Sequence, residues 1–337
     1  VTLSLRHGAH LGGRVLHETA TTLRHAVPGL VRTPFCGGGE LVRAQAQLIR
    51  HVAAFRESTT AYARLRRLIA RHGDAGLDLA PDPPRPERFV VFIGQSRSGH
   101  SLVGSLLDAH PEIAIAHEMH ALKHLAAGAA FDDVLAAAAL NAQIFQRLGR
   151  SYTGYDYAVA GQHQGTWTLL VAAGDKKGNG STRVLQRRPD AVAAAEARLP
   201  VPVCYVNVVR DPWDNVATKA LRTGRPVTEA ARIFTANART IAELTERAPE
   251  RVSTLHLDQL IAEPAPVLRQ LIAFLGASAP ERAYLDACAA LLFTKPSRTR
   301  ERVTWSAEAV AELDAACRDI PFLQRYARGA EADSAPA

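Results

Sequence analysis

Lysine is scarce in this 337-residue chain: five lysines (Lys123, Lys176, Lys177, Lys219, Lys295) stand against 35 arginines. Where Arg is the default cation, a retained Lys marks a place where a compact point charge differs from a planar fork. Cysteine is also sparse. Cys36, Cys204, Cys288 and Cys317 are far apart and form no CxxC pair, which excludes a zinc ribbon or a disulfide scaffold and predicts a reducing compartment. No apolar run approaches the ~20 residues that cross a bilayer. The first thirty residues hold no apolar stretch of the kind a secretory leader needs, so a cytoplasmic location is expected. No run of five like charges and no internal repeat is present, which argues against a basic nucleic-acid tail and a solenoid. What is there is ordinary for a packed protein: 47% hydrophobic and 22% charged residues. The net charge of +7 points to an anionic ligand.

Residues 1–85 read as a helical N-terminal extension ending in a stiff connector. Leu41 to Arg71 places apolar residues at helical spacing with arginines on the other face. Pro81-Asp-Pro-Pro-Arg-Pro-Glu87 then marks a boundary. Residues 86–330 form the main domain, and 331–337 a disordered tail. In the main domain, Arg88–Gly94, Pro202–Val209 and Ser253–Leu257 read as strands, and Ile113-Ala-Ile-Ala as a shorter one. Helices are expected at Ser101–Ala109, Trp213–Arg222 and Pro264–Leu275, and through the alanine-rich stretch 121–150. Strands alternating with helices predict an α/β fold with a parallel sheet flanked by helices.

The first strand runs into Gly94-Gln-Ser-Arg-Ser-Gly-His-Ser101, the spacing of a phosphate-binding P-loop with His100 in the lysine position. Backbone N–H groups of such a turn, with the following helix N-terminus, suit phosphate. Gln95, Ser96, Arg97, Ser98, Gly99, His100 and Ser101 are therefore candidate ligands of an anion. A loop with Arg97 and no lysine suits a shorter anionic group than a nucleoside triphosphate and needs no metal.

Gln95-Ser-Arg-Ser-Gly-His-Ser-Leu-Val-Gly-Ser-Leu-Leu-Asp-Ala-His-Pro111 resembles the 5′-phosphosulfate loop of the sulfotransferases that use 3′-phosphoadenosine 5′-phosphosulfate, most of all the protein-tyrosine sulfotransferase branch and its bacterial relatives. Val208-Val-Arg-Asp-Pro-Trp-Asp-Asn-Val-Ala-Thr218 resembles the same family's 3′-phosphate motif. The likeness spans roughly residues 88–328. It implies that nucleotide as donor, no metal, and a small-molecule or peptide hydroxyl acceptor, phenols included. It implies no nucleic-acid or membrane partner and is compatible with a homodimer. Position by position, it implies Arg97 and Glu118 as catalytic residues, with Glu118 the base. Lys176 or its neighbour Lys177 is the catalytic lysine. Arg210, Thr218 and Arg222 hold the 3′-phosphate, and Lys295, with Pro296 and Trp305, closes over the nucleotide. Leu257 stands where the family has a nucleotide-contacting Tyr, and His100 where it has Thr.

The chemistry asks for these types. Sulfuryl transfer is an in-line displacement governed by positioning and charge, as in phosphoryl transfer. The acceptor must lose a proton, for which a carboxylate at a strand end is suited, with His117 and His120 as neighbours able to do the same work. A lysine suits the single leaving oxygen and an arginine the phosphate. Tyr152, Tyr155, Tyr157, His163 and Trp167 are candidates for an aromatic acceptor pocket. Two other readings compete: an ATP-dependent phosphotransferase, and a nucleotide-binding protein without turnover.

Overall fold

The computed structural model describes residues 83–147, 150–152, 155–293 and 298–327. The expectations for the N-terminal extension, the tail and Lys295 lie outside these residues. Its elements in chain order are β1 (Arg88–Gly94), α1 (His100–Asp108), β2 (Ile113–His117), α2 (Ala121–Ala126), α3 (Phe131–Arg147), β3 (Ser151–Tyr152), β4 (Tyr155–Asp156), β5 (Ala172–Lys176), α4 (Gly178–Arg187), α5 (Pro189–Glu196), β6 (Val203–Val209), α6 (Pro212–Thr223), α7 (Val227–Arg247), β7 (Val252–His256), α8 (Leu257–Ala262), α9 (Pro264–Phe274), α10 (Arg282–Ala290) and α11 (Ala307–Asp319).

Five strands form one parallel sheet in the order β2-β5-β1-β6-β7, and β3 and β4 form a small antiparallel pair. The expected α/β architecture is what forms. Alternate residues of β1 divide between two cores. Phe89, Val91 and Ile93 pack with α2, α3, α5 and α7, while Val90 and Phe92 pack with α1, α9 and α10. That period of two explains why a strand buried on both faces reads as a continuous apolar run. A third cluster joins α6, α7 and α11 around Trp213, which is core and not a ligand platform.

The structure adds helices that the sequence reading did not name, α7 (Val227–Arg247) the longest of them, and differs from it at three of the elements around the sheet. The third expected strand is Val252–His256, and Leu257 already begins α8. The alanine-rich stretch is two helices, α2 and α3, separated at Ala127–Ala130. The strand β5, Ala-Ala-Gly-Asp-Lys, carries no β-branched residue and escaped notice. It lies between β2 and β1, and its glycine is required there: a Cβ on Gly174 would fall 1.9 Å from the Val90 carbonyl oxygen.

Candidate active site

The connection out of β1 runs to β2 on one side of it and the connection out of β5 runs across it to β6 on the other, which opens a crevice at the carboxyl ends of the strands. Every strand bordering that crevice ends in a candidate residue. β1 ends in the loop 94–99, β2 in Glu118, β5 in Lys176 and β6 in Arg210. The register pairs His117 with Lys176, which puts Glu118 beside the β5 end. Ser96, Arg97, Gly99, Glu118, Lys177, Arg210, Thr218 and Arg222 all line one cavity of about 1080 Å³.

The lysine Nζ of Lys176 donates to Glu118 Oε1 (2.6 Å) and Ser101 Oγ (2.9 Å) and lies 3.4 Å from His117 Nε2. Its stem is buried beneath α1, where Gly104 leaves the space; a Cβ there would meet Lys176 Cγ at 2.9 Å. Lys177 Nζ donates to the other carboxylate oxygen of Glu118. Burial alone would raise the Glu118 carboxyl, but Lys176 and Lys177 outweigh it and hold it well below the ordinary carboxylate range. Burial pulls the Lys176 ammonium down, and Glu118 opposes that pull. The backbone here is strained: Glu118 and His120 have φ of 63° and 65°. Asp175 braces this turn by accepting the backbone N–H of Met119 and of Ala121, both at 2.9 Å. Burial raises the Asp175 carboxyl to about 6.

The phosphate loop is also held from outside. Asn215 Nδ2 donates to the Ser96 carbonyl and to Ser98 Oγ, each at 3.0 Å, tying the loop to α6. Gln95 Nε2 donates to the Phe234 carbonyl (2.8 Å) and its Oε1 accepts from Asn237, so this side chain faces α7 and not the cavity. The His100 ring likewise turns inward, donating from Nε2 to the Ile93 carbonyl at 3.0 Å. Of the expected loop ligands, Gln95, Ser98 and His100 are loop anchors by their side-chain bonds, though His100 also borders the cavity. Arg97, at φ 70°, faces the cavity. Burial, then Arg222, depresses its guanidinium.

Arg210 donates to Thr218 Oγ1 (3.1 Å), Thr299 Oγ1 (3.2 Å) and the Arg97 carbonyl (3.4 Å). It thus joins the loop, α6 and the segment after residue 298. Asp211 caps α6 by accepting from the Trp213 and Asp214 N–H groups. Asp214 accepts from the N–H of Thr299 (2.6 Å) and of Arg300 (2.9 Å), and Arg300 bridges Asp211 and Asp214. Asn215, Asp214 and Thr299 were missed in the sequence. Only the Asp-Pro-Trp-Asp-Asn run hinted at them, and it reads equally as a helix start. On the remaining wall, Tyr152, Tyr155, Tyr157 and Phe293 line the cavity, with Tyr155 and Phe293 in edge contact at 5.7 Å. Trp167 packs against the core instead. Among the described residues no group of three His, Cys, Asp or Glu side chains is placed to hold a metal ion, and no helix is long and apolar enough to cross a membrane.

Four histidines around the site are held neutral by burial. His100 and His124 are lowered to about 4, His120 to about 3, and His117 well below its usual range. Below pH ~6.5 the unfolded chain binds protons that the folded chain refuses. Stability should therefore fall as pH drops from about 6.5 to 4, by up to roughly 3 kcal/mol for His100 alone. Asp175 and Asp108, whose carboxyls burial raises, act with the opposite sign, Asp175 gaining stability as pH falls below about 6, but the four histidines outnumber them. Urea unfolding at pH 7.5 and 5.0 should show a lower midpoint at pH 5.0, and the drop should shrink in His100→Gln.

A model of the sulfotransferase family matches residues 89–281, more than half of the chain. No curated protein sequence matches it. Among solved structures, the sulfotransferase domain of the Synechococcus PCC 7002 olefin synthase aligns at 18% identity, covering 66% of this chain and 82% of its own, with a TM-score of 0.39. The sulfotransferase domain from the curacin biosynthetic pathway aligns at 16% identity over 72% of this chain and 97% of its own, at 0.38. Sulfotransferase STF9 from Mycobacterium avium aligns at 12% identity over 94% and 95%, at 0.39. The family match coincides with the sheet and the cavity that it frames: the chain belongs to the sulfotransferase family.

Proposed function

We propose that the protein transfers a sulfuryl group from 3′-phosphoadenosine 5′-phosphosulfate to a hydroxyl acceptor, a phenol among those it takes. The observation that carries this reading is the convergence of three arginines and Glu118 on one crevice, with Lys176 buried directly beneath Glu118. Arg97 belongs to the phosphate loop, Arg210 precedes α6, Arg222 sits in its last turn, and Lys176 with Glu118 lies between the loop and β2. A donor with two separated phosphate groups fits that spread of charge. Ser96, Gly99 and Ser101, with the backbone of the loop, form the cradle for the 5′ end, and Gln95, Ser98 and His100 hold its shape. Arg210, Thr218 and Arg222 hold the 3′-phosphate. Leu257, which also lines the cavity, offers an apolar wall and no hydroxyl.

In this reading Lys176 stabilises the bridging oxygen as its bond to sulfur breaks. Its proton donors already point toward Ser101, at the start of the helix that faces the phosphates. Glu118 takes the acceptor proton. The bond from acceptor oxygen to sulfur forms as the other breaks, and the 3′,5′-bisphosphate leaves. The wall of Tyr152, Tyr155, Tyr157 and Phe293 favours an aromatic acceptor. The chain should function away from membranes and nucleic acid. Incubation with the donor labelled in its sulfuryl group should transfer label to 4-methylphenol more readily than to cyclohexylmethanol. No bisphosphate release with either alcohol would count against the assignment.

A further inference from the structure

Glu118 has two lysine partners, and they are not equivalent. Lys176 is buried with a side chain 2% exposed, whereas Lys177 and Glu118 are each 19% exposed and both line the cavity. Lys176 holds Oε1 from the floor, together with Ser101. Lys177, which itself lines the cavity, holds Oε2. The stem of Lys177 runs over the first turn of α4: a Cβ on Gly180 would meet Lys177 Cγ at 2.6 Å. Oε1 is shared with the buried Lys176, so the oxygen held by the cavity-lining Lys177 is the one whose partner an incoming hydroxyl can replace.

We propose that Lys177 guards the base: it occupies the acceptor-facing oxygen of Glu118 until an acceptor hydroxyl displaces it, which keeps water from being activated against the bound donor. The inference rests on the reading of Glu118 as the base. It assigns Lys177 a positioning role and leaves the leaving oxygen to Lys176. The step that it suppresses is donor hydrolysis. There, a water oxygen bonds to sulfur while the bond from sulfur to the bridging oxygen breaks. One water proton passes to Glu118 and then to solvent, the 3′,5′-bisphosphate and hydrogen sulfate are released, and the hydrogen sulfate gives its remaining proton to solvent. The groups facing Glu118 are Lys176 and Asp175 from β5, Lys177 before α4, His117 on its own strand, His120 in the following turn and His100 from α1. Of these, Lys177 is the cation on the cavity side.

The test needs no acceptor. In Lys177→Met, donor hydrolysis without acceptor should rise about tenfold or more over the parent protein. The Glu118 carboxyl, followed by ¹³C resonance in glutamate-labelled protein and assigned by its loss in Glu118→Gln, should titrate higher than in the parent, because one of the two cations that hold it down is gone. Lys177→Arg should restore both, because a cation returns to Oε2. If Lys177→Met fails to fold, Lys177→Gln removes the charge alone and carries the same expectation. Hydrolysis or a titration midpoint equal to that of the parent, with binding of the 3′,5′-bisphosphate intact, overturns the proposal. A gain in hydrolysis that survives in the Lys177→Met, Glu118→Gln double variant would instead remove Glu118 as the base.

Discussion

Replacing Glu118 with glutamine should lower kcat by about 10²–10⁴ while leaving the affinity for the 3′,5′-bisphosphate close to that of the parent protein, since this is the usual contribution of a positioned general base. Glutamine keeps the shape and can still accept a hydrogen bond from Lys176, but an amide cannot take up the acceptor proton. The surrounding frame is independent of the carboxylate. Asp175 holds the turn through Met119 and Ala121, and β2 pairs with β5 through the full register. A loss confined to kcat would place Glu118 in the transition state and not in ground-state binding. Turnover equal to the parent's would move the proton transfer to another group. His117 and His120 are the nearest imidazoles, and both are neutral.

Arg210→Ala has the opposite signature: donor affinity falls first. The guanidinium touches the loop carbonyl of Arg97, the α6 hydroxyl of Thr218 and the hydroxyl of Thr299. Burial depresses it, while Asp214 and Asp211 sustain its charge. A hydrogen bond to a charged group is worth about 1.5–3 kcal/mol, so the dissociation constant of the bisphosphate should rise roughly tenfold to a hundredfold. Arg210→Lys should recover little of this, because a point charge cannot span Arg97 and Thr299 as the planar fork does. Isothermal titration measures both. Affinity unchanged in Arg210→Ala would take this residue out of the phosphate site.

Much of the frame was legible in the sequence because strands buried on both faces announce themselves. Phe89–Ile93 is an unbroken apolar run and Val203–Val209 is interrupted only by Asn207, and each strand leads directly into the crevice, at the loop 94–99 and at Arg210. β5 was illegible for a physical reason. Its position under α1 and against β1 demands small residues, so Ala172, Ala173 and Gly174 satisfy packing at the expense of any strand signature. The ambiguity between Lys176 and Lys177 could not be settled by spacing either. Adjacent residues on a strand end face opposite ways, and only the fold sends one lysine to the floor and the other to the cavity. The motif around Gly94–Ser101 was readable as a phosphate loop, yet not which of its side chains face the ligand. Gln95 and His100 are spent on α7 and on the Ile93 carbonyl, contacts made across long stretches of chain or back into the core. The roles of Asn215 and Asp214 are of the same kind, since their partners lie far off in sequence at Ser96, Ser98, Thr299 and Arg300.

The central claim is the donor class, and ligand-induced stabilisation measures it without knowledge of the acceptor. A ligand at a hundred times its dissociation constant adds about 2.7 kcal/mol to the folded state. Thermal unfolding should therefore shift upward with 3′,5′-adenosine bisphosphate in the absence of any metal, and much less with ATP and Mg²⁺. A shift with ATP and Mg²⁺ but none with the bisphosphate would contradict the account and point to a phosphotransferase.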